Sequence, residues 1–275
     1  MEERLQSLIE NIKKMESLLV AYSGGVDSTF LLRVAKDALG DNVVAATARS
    51  PIYPETEYEQ AKMIARELGV KHLTIFTEQY QQPEFFRNPP DRCYYCKREL
   101  FAKLRQLAGQ AGLNWVADGT NYDDLGDHRP GIMAAAESGV RSPLCEAGLT
   151  KDDIRALSRQ LGLATWDKPS LACLASRFPY GDEITLKGLS MVAEAEEYLQ
   201  RLGFKQLRIR HHNDIARIEV APEEMGRFRD TELCHQVVNK LKVIGYTYIT
   251  LDLQGYRSGS MNEVLEESRL CHNSD

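Results

Sequence analysis

No stretch of this chain is apolar for long enough to cross a bilayer, and its first residues, Met1-Glu2-Glu3-Arg4-Leu5, lack the apolar core of a secretory leader. Both absences speak against a membrane anchor and lead to the expectation of a cytoplasmic protein. Thiols stay reduced there, so the six cysteines are better read as metal-binding or catalytic than as a disulfide framework. Basic charge is not in excess either. Against 34 Lys and Arg stand 40 Asp and Glu, a net of −6, which suits a small anionic substrate better than a long polyanion held by counterion release. A local basic pocket stays compatible with that total. There is no internal repeat, no low-complexity tract, no Walker A ending Gly-Lys-Ser/Thr and no G-x-G-x-x-G turn, which removes the two commonest nucleotide-binding motifs.

What is present is an ordinary globular composition, 275 residues with 43% hydrophobic and 27% charged, enough for one large domain or two smaller ones. Leu18-Leu19-Val20-Ala21 reads as a strand buried on both faces, and Phe30, Leu31, Val34, Ala35 and Ala38 recur at helical spacing. Between them, Tyr22-Ser23-Gly24-Gly25-Val26-Asp27-Ser28-Thr29 forms a glycine-rich turn at a helix start. Gly24 and Gly25 leave backbone N–H groups and the helix dipole open to a phosphate, and Ser23 and Ser28 add hydroxyls. Asp27 would repel a phosphate unless a metal intervened, which points to Mg²⁺ held jointly by carboxylate and phosphates. The plainer alternative is a βα turn in which Asp27 or Ser23 caps the helix.

The rest of the chain alternates strand and helix. Leu5, Leu8, Ile9, Ile12 and Met15 predict a helix over 3–16. Strands are expected at 42–48, 71–76 and 115–117, with helices over 55–68 and around Phe101, Leu104 and Ala108. That order predicts βαβ units and a parallel sheet covered on both sides, with ligands at the carboxyl ends of the strands, in loops 23–28, 49–54, 77–95 and 118–130. Asp118-Gly119-Thr120-Asn121 and Asp127-His128-Arg129-Pro130-Gly131 would bring carboxylates and an arginine to that rim, or be polar turns. Thr150-Lys151-Asp152-Asp153 reads as a capping box. Lys168 to Gly181, with two prolines and no period, reads as a fixed loop ending at a domain boundary, giving domains 1–180 and 181–275. The second is expected as a compact mixed α/β domain, with a helix over 185–202, strands at 207–210, 215–220 and 247–253, and a helical stretch after Pro222.

Cys93-Tyr94-Tyr95-Cys96 is expected in the loop after the third strand, and Cys173 in the irregular loop before the boundary. Three thiolates are one short of a closed zinc site and suit a [4Fe–4S] cubane whose fourth iron stays open. A structural zinc recruiting Cys145 or a histidine, a redox dithiol, and buried cysteines without a metal are the alternatives. Cys145, Cys234 and Cys271 stand alone. Arg208 and Arg210 alternate on a strand and so share a face, fit either for anion binding or for a solvent-facing edge.

Ser23-Gly24-Gly25-Val26-Asp27-Ser28 resembles the PP-loop of the ATP pyrophosphatases, which cleave ATP between the α- and β-phosphates and leave AMP on an acceptor. Together with Asp118-Gly119-Thr120-Asn121, Arg129-Pro130-Gly131, the stretches 176–181 and 212–219, and Arg257-Ser258-Gly259, it is similar to the LarE family over nearly the whole chain. The resemblance implies a PP-loop, Rossmann-like fold and an ATP-dependent sulfur transferase of nickel-pincer nucleotide cofactor synthesis. Such an enzyme adenylylates a carboxylate of pyridinium-3,5-biscarboxylic acid mononucleotide and exchanges oxygen for sulfur. It further implies nucleotide binding by Ser23, Gly24, Gly25, Asp27, Ser28, Asp118 and Gly119, and catalysis by Asp27 with Cys93, Cys96 and Cys173. Substrate binding would fall to Ser176, Arg177, Glu196, Arg208 and Arg210, although a glutamate on that helix is more often merely solvated. ATP, Mg²⁺, a [4Fe–4S] cluster, sulfide or another sulfur donor, and a homo-oligomer complete the expectation. One branch of the family sacrifices its own cysteine sulfur, at the position of Cys173; the accompanying Cys93 and Cys96 favour the cluster branch.

The rival is a tRNA thiolase of the PP-loop class. Residues 180–275 hold 12 basic and 16 acidic side chains, whereas a tRNA-gripping domain is expected to carry a basic face. An amide-forming ligase lacks room and a nucleophile motif for a glutaminase domain, and a non-catalytic nucleotide sensor has no use for the cysteine trio.

Overall fold

The computed structural model describes residues 1–126, 130–169, 172–257, 259–260 and 263. The chain divides into two compact units, Met1–Phe85 with Pro90–Leu171, and Phe86–Pro89 with Ala172–Asp275. That division falls within the loop 168–181.

In the first unit β1 (Leu18–Ala21), β2 (Val43–Arg49), β3 (Lys71–Phe76) and β4 (Trp115–Ala117) form a wholly parallel sheet in the order β3-β2-β1-β4. Alternate residues of β1 feed two cores. Leu18 and Val20 pack with Leu8, Ile12, Phe30 and Leu31 from the helices Glu2–Lys13 and Val26–Leu39, while Leu19 packs with Phe101 and Leu104 from the helix Arg92–Gln110. That two-sided burial is why β1 is apolar without a break. After β3 the chain returns to the other side of β1 to lay down β4, so the strand order reverses between β1 and β4. Open parallel sheets bind ligands at the carboxyl ends of such a pair.

The helix Arg92–Gln110 corrects one expectation. Cys93 and Cys96 lie in its first turn and not in a loop. Its buried residues are Arg92, Cys96, Leu100, Leu104 and Ala108, spaced by four, with Phe101 beside Leu100. Counting only apolar residues hides the first two members, so the helix appears to begin near Phe101. Elsewhere element types follow the periodicity: the helix Lys151–Gln160 starts at a capping box in which Thr150 and Asp153 bond each other's backbone N–H.

The second unit holds β5 (Leu207–His212), β6 (Ile215–Val220) and β7 (Tyr248–Leu251) in the order β5-β6-β7, the first pair antiparallel and the second parallel. Asn213 turns the hairpin at φ 56°, a left-handed conformation that asparagine tolerates. Ala195 and Leu199 of the helix Leu186–Arg201, and Val237 and Leu241 of the helix Thr231–Ile244, pack with Phe204, Ile209 and Ile218. The segment Phe86–Pro89 is tied into this unit by Asn88, whose Nδ2 donates to Phe178 O (3.3 Å) and Pro179 O (2.6 Å). No helix among the described residues is long and apolar enough to cross a membrane.

His211 is buried beside the Phe178 ring, with Nδ1 3.1 Å from the Tyr246 hydroxyl. Burial, then the neighbouring His212 charge, holds its pKa below 6.5. The unfolded chain therefore takes up this proton first, so the neutral ring's contribution is complete above pH 6.5 and is lost as pH falls through the lower folded value. Chemical denaturation between pH 7.5 and 5 is expected to show stability falling on acidification, with a shallower slope in His211→Gln; equal slopes would contradict this.

Candidate active site

The turn after β1 is built on close approach. Gly24 has φ +71°, and a Cβ there would stand 2.9 Å from Ala61 Cβ. Ser23 Oγ lies 3.0 Å from Ser28 Oγ and accepts from Gly25 N (3.3 Å), so the two serines close the loop over the first turn of the helix Val26–Leu39. The N–H groups of that turn have no acceptor within the helix and form, with the dipole, an anion site. From β4, Gly119 packs against the same turn: a Cβ on it would meet Ser28 N at 3.0 Å and Ser28 Cα at 3.2 Å. Asp118 is buried and accepts from Thr120 N, Thr120 Oγ1 and Ser142 Oγ, so its carboxylate holds the loop in shape.

Asp27 lies at the helix start with its side chain 22% exposed and salt-bridged to Lys151 Nζ at 2.5 Å. Its other oxygen, Oδ1, is buried without a hydrogen-bond partner. Burial raises the Asp27 pKa, against the hydrogen bond and charge of Lys151. An unsatisfied carboxylate oxygen beside a phosphate cradle offers the hard oxygen ligand that Mg²⁺ takes, so the donor set fits that ion. Lys151 escaped sequence reasoning because it reads only as the residue after a cap; the signal was the box itself, which fixes that lysine at a helix start. Lys168 is a second basic group missed there. Its Nζ donates to Gly24 O (3.2 Å), Glu57 Oε2 (2.7 Å) and Gln60 Oε1 (3.2 Å).

In the second unit Arg210 and Arg208 stand two apart on β5. Arg210 is buried, donating to Ser176 O (3.0 Å), Glu219 Oε2 (2.8 Å) and Ser260 Oγ (2.9 Å), while its Nε is buried without a partner. Arg208 donates to Leu207 O (2.7 Å) and lies 5.2 Å from the Tyr256 ring centroid. Burial, then the positive charge of Arg177, lowers its pKa. Arg208 is thus half-buried, whereas Arg210 is not solvent-facing. Nor is Glu196 a solvated helix residue: it is buried and bonded by both oxygens to Arg177, with Nε at 2.9 Å and Nη2 at 2.8 Å. Ser176 Oγ donates to Cys173 O (2.8 Å).

Cys93 is exposed and Cys96 buried, three residues apart on one helix face, and Gln79 Nε2 donates to Cys96 Sγ (3.5 Å). Cys173 is half-buried in the second unit, at the start of the short helical turn Leu174–Arg177. Among the described residues no three or more His, Cys, Asp or Glu side chains form a group that could hold a metal ion. Cys145 and Cys234 are half-buried, the latter bonded to Phe228 O (3.0 Å). Cys271, Asp127, His128, Arg129 and Ser258 lie outside the described residues.

The raised Asp27 pKa means that the uncharged side chain stabilises the fold below pH 3.8 and that this is lost as pH rises through the folded value. At neutral pH the carboxylate costs stability. Asp27→Asn is therefore expected to raise the ligand-free melting temperature, by roughly 2–4 °C for each kcal/mol relieved, and to abolish stabilisation by Mg·ATP. A lower ligand-free melting temperature would contradict the assignment.

Residues 1–88 match the NAD synthase family model. The chain is 46% identical over 265 residues to an uncharacterized protein of Synechocystis sp., covering 96% of this chain and 99% of that one. A tRNA-specific 2-thiouridylase of Rickettsia africae is 26% identical over 199 residues, 57% of this chain and 53% of its own. The pyridinium-3,5-bisthiocarboxylic acid mononucleotide synthase of Lactiplantibacillus plantarum is 40% identical over 266 residues, 96% of each chain. With phosphate loop, acidic helix start and buried arginine strand all in place along one full-length match, the chain belongs to the LarE family, the pyridinium-3,5-bisthiocarboxylic acid mononucleotide synthases.

Proposed function

We propose that this protein is an ATP-dependent sulfur transferase acting on a pyridinium mononucleotide that bears carboxylates. The observation that carries the reading is the end-to-end 40% identity to a synthase whose name states that product. A carboxylate cannot lose oxide, so it must first be activated. Its oxygen attacks the α-phosphorus of ATP, the bond to the β-phosphate bridging oxygen breaks, and pyrophosphate leaves. A sulfur nucleophile then adds to the acyl carbon, the bond to the adenylate oxygen breaks, and AMP leaves a thiocarboxylate.

The chain's own groups suit these steps. The helix start after β1, with Ser23, Gly24, Gly25 and Ser28, receives the phosphates; Asp27 Oδ1, buried without a partner, would hold Mg²⁺, which when bound shields phosphate charge from the attacking carboxylate. Gly119 and Asp118 brace that turn. Arg210, buried, and Arg208, half-buried, supply positive charge for a substrate carrying a phosphate and carboxylates, which supports their assignment to it. Cys173 handles the sulfur. With Cys93 and Cys96 as co-ligands, a [4Fe–4S] cluster would supply an open iron for a transferable sulfide. In the alternative, the Cys173 thiolate itself adds to the acyl carbon, the bond to the adenylate oxygen breaks and AMP leaves a thioester; loss of the Cys173 Cα proton then breaks Cβ–S, releasing the thiocarboxylate and leaving dehydroalanine. We place the enzyme in the cytoplasm as a homo-oligomer. A tRNA substrate fits poorly with the 12 basic and 16 acidic residues of 180–275.

Incubation with Mg·ATP, sulfide and the dicarboxylate mononucleotide is expected to yield AMP, pyrophosphate and thiocarboxylate in equal amounts; ADP and phosphate would reject the reading. Arg208→Ala is expected to weaken the apparent substrate constant by about 1.5–3 kcal/mol, the range for hydrogen bonds to charged groups, with ATP binding unchanged.

The cysteine readings separate by mutation. If a cluster carries the sulfur, Cys93→Ala, Cys96→Ala and Cys173→Ala each lose iron and sulfur transfer while adenylation survives. If Cys173 is sacrificed, Cys93→Ala and Cys96→Ala complete one turnover, and mass spectrometry finds Cys173 lighter by one hydrogen sulfide.

A further inference from the structure

Arg177 is 2% exposed, and its guanidinium is turned inward on its own chain. Nε and Nη2 form a fork on the two oxygens of Glu196, at 2.9 and 2.8 Å. Nη1 reaches Ala172 O (2.8 Å), Cys173 O (3.0 Å) and Ser176 Oγ (2.9 Å). A guanidinium has five N–H donors, and the fork that would grip a phosphate or carboxylate is already filled by Glu196. Glu196 in turn does more than neutralise Arg177. Its Oε1 also accepts from Ile209 N at 3.0 Å, and Ile209 stands between Arg208 and Arg210 on β5. A second tie runs the same way, from Arg210 Nη1 to Ser176 O at 3.0 Å.

We propose that Arg177 and Glu196 are positioning residues and not substrate ligands: the buried pair clamps the carbonyls at and before Cys173 and fastens that segment to the strand carrying Arg208 and Arg210. The proposal rests on the reading above that sulfur is handled at Cys173. Its physical sense is that sulfur addition needs the sulfur atom and the acyl carbon at near-attack distance. One carboxylate, bonded both to the arginine that grips the cysteine segment and to the backbone between two anion-binding residues, fixes the first relative to the second. A flexible lysine–glutamate pair would neutralise the same charge without the fork geometry that reaches five oxygens at once.

The test uses the full chain with Arg177→Lys and Glu196→Gln, each first checked for an intact melting transition. Arg177→Lys is expected to slow sulfur transfer by about 10–100-fold, the cost of a misplacement near 1 Å. The apparent substrate constant and the rate of pyrophosphate release should stay at wild-type values. Glu196→Gln, which keeps an acceptor for Ile209 N, is expected to fall between. Hydrogen exchange at the amides of 173–177 should quicken in Arg177→Lys with no ligand present, a readout that substrate contact would not move. A rise in the apparent substrate constant with sulfur transfer otherwise intact would overturn the proposal and make Arg177 a ligand. Exchange as slow as in the wild type would overturn the clamp alone. Cys173→Ala separates the two readings: retained sulfur transfer in that variant would overturn the role of Cys173, and with it the catalytic purpose of the clamp, while leaving the exchange result to stand as structure.

Discussion

Charge that the fold buries without fully compensating it governs this protein. Asp27 keeps one buried carboxylate oxygen with no partner and a pKa pushed up by burial. On the other unit, Arg208 is pulled below its ordinary pKa by burial and by the charge of Arg177. An unpaired buried polar group costs about 1–3 kcal/mol, and more when charged, so the bare Asp27 oxygen does not persist for stability's sake. Under the proposed function a divalent cation riding on phosphates would relieve Asp27, and an anionic mononucleotide would meet the charge of the arginines.

The folds around these charges keep them from relaxing. In the first unit the reversal of strand order at β1 and β4 delivers two glycine-bearing turns to one place, and a Cβ on Gly119 would stand 3.0 Å from Ser28 N, which leaves no room for a side chain between them. Lys151, from the start of a later helix, and Lys168, from a later loop, then hold Asp27 and Gly24. In the second unit, Glu219 and Glu196 are both buried and both spoken for, by Arg210 and Arg177. Buried pairs of this kind add little net stability but are costly to break singly, so they fix geometry more than they hold the fold together.

Much of this was legible in the residues. The run Leu18-Leu19-Val20-Ala21 and the hexapeptide that follows it define strand, turn and helix because apolar continuity and glycine placement are local signals. The same holds for the Thr150 capping box and for the β5–β6 hairpin. What was not legible depended on long-range pairing. Cys93 and Cys96 sit on a helix because Arg92 and Cys96 occupy core positions of its stripe, which a count of apolar residues skips. Lys151 and Lys168 become site residues only through partners more than a hundred positions away. That Arg177 and Glu196 bond each other was not legible either, because no sequence pattern tells an arginine facing a ligand from one facing its own chain.

The central claim is that a substrate carboxylate is activated by cleavage of ATP between its α- and β-phosphates, and the route of one oxygen atom tests it most directly. With ¹⁸O in the carboxylates of the pyridinium mononucleotide, turnover by the full chain with Mg·ATP and sulfide is predicted to place one ¹⁸O in the phosphate of each AMP and none in pyrophosphate. Unlabelled AMP, or label emerging in inorganic phosphate beside ADP, would contradict the account.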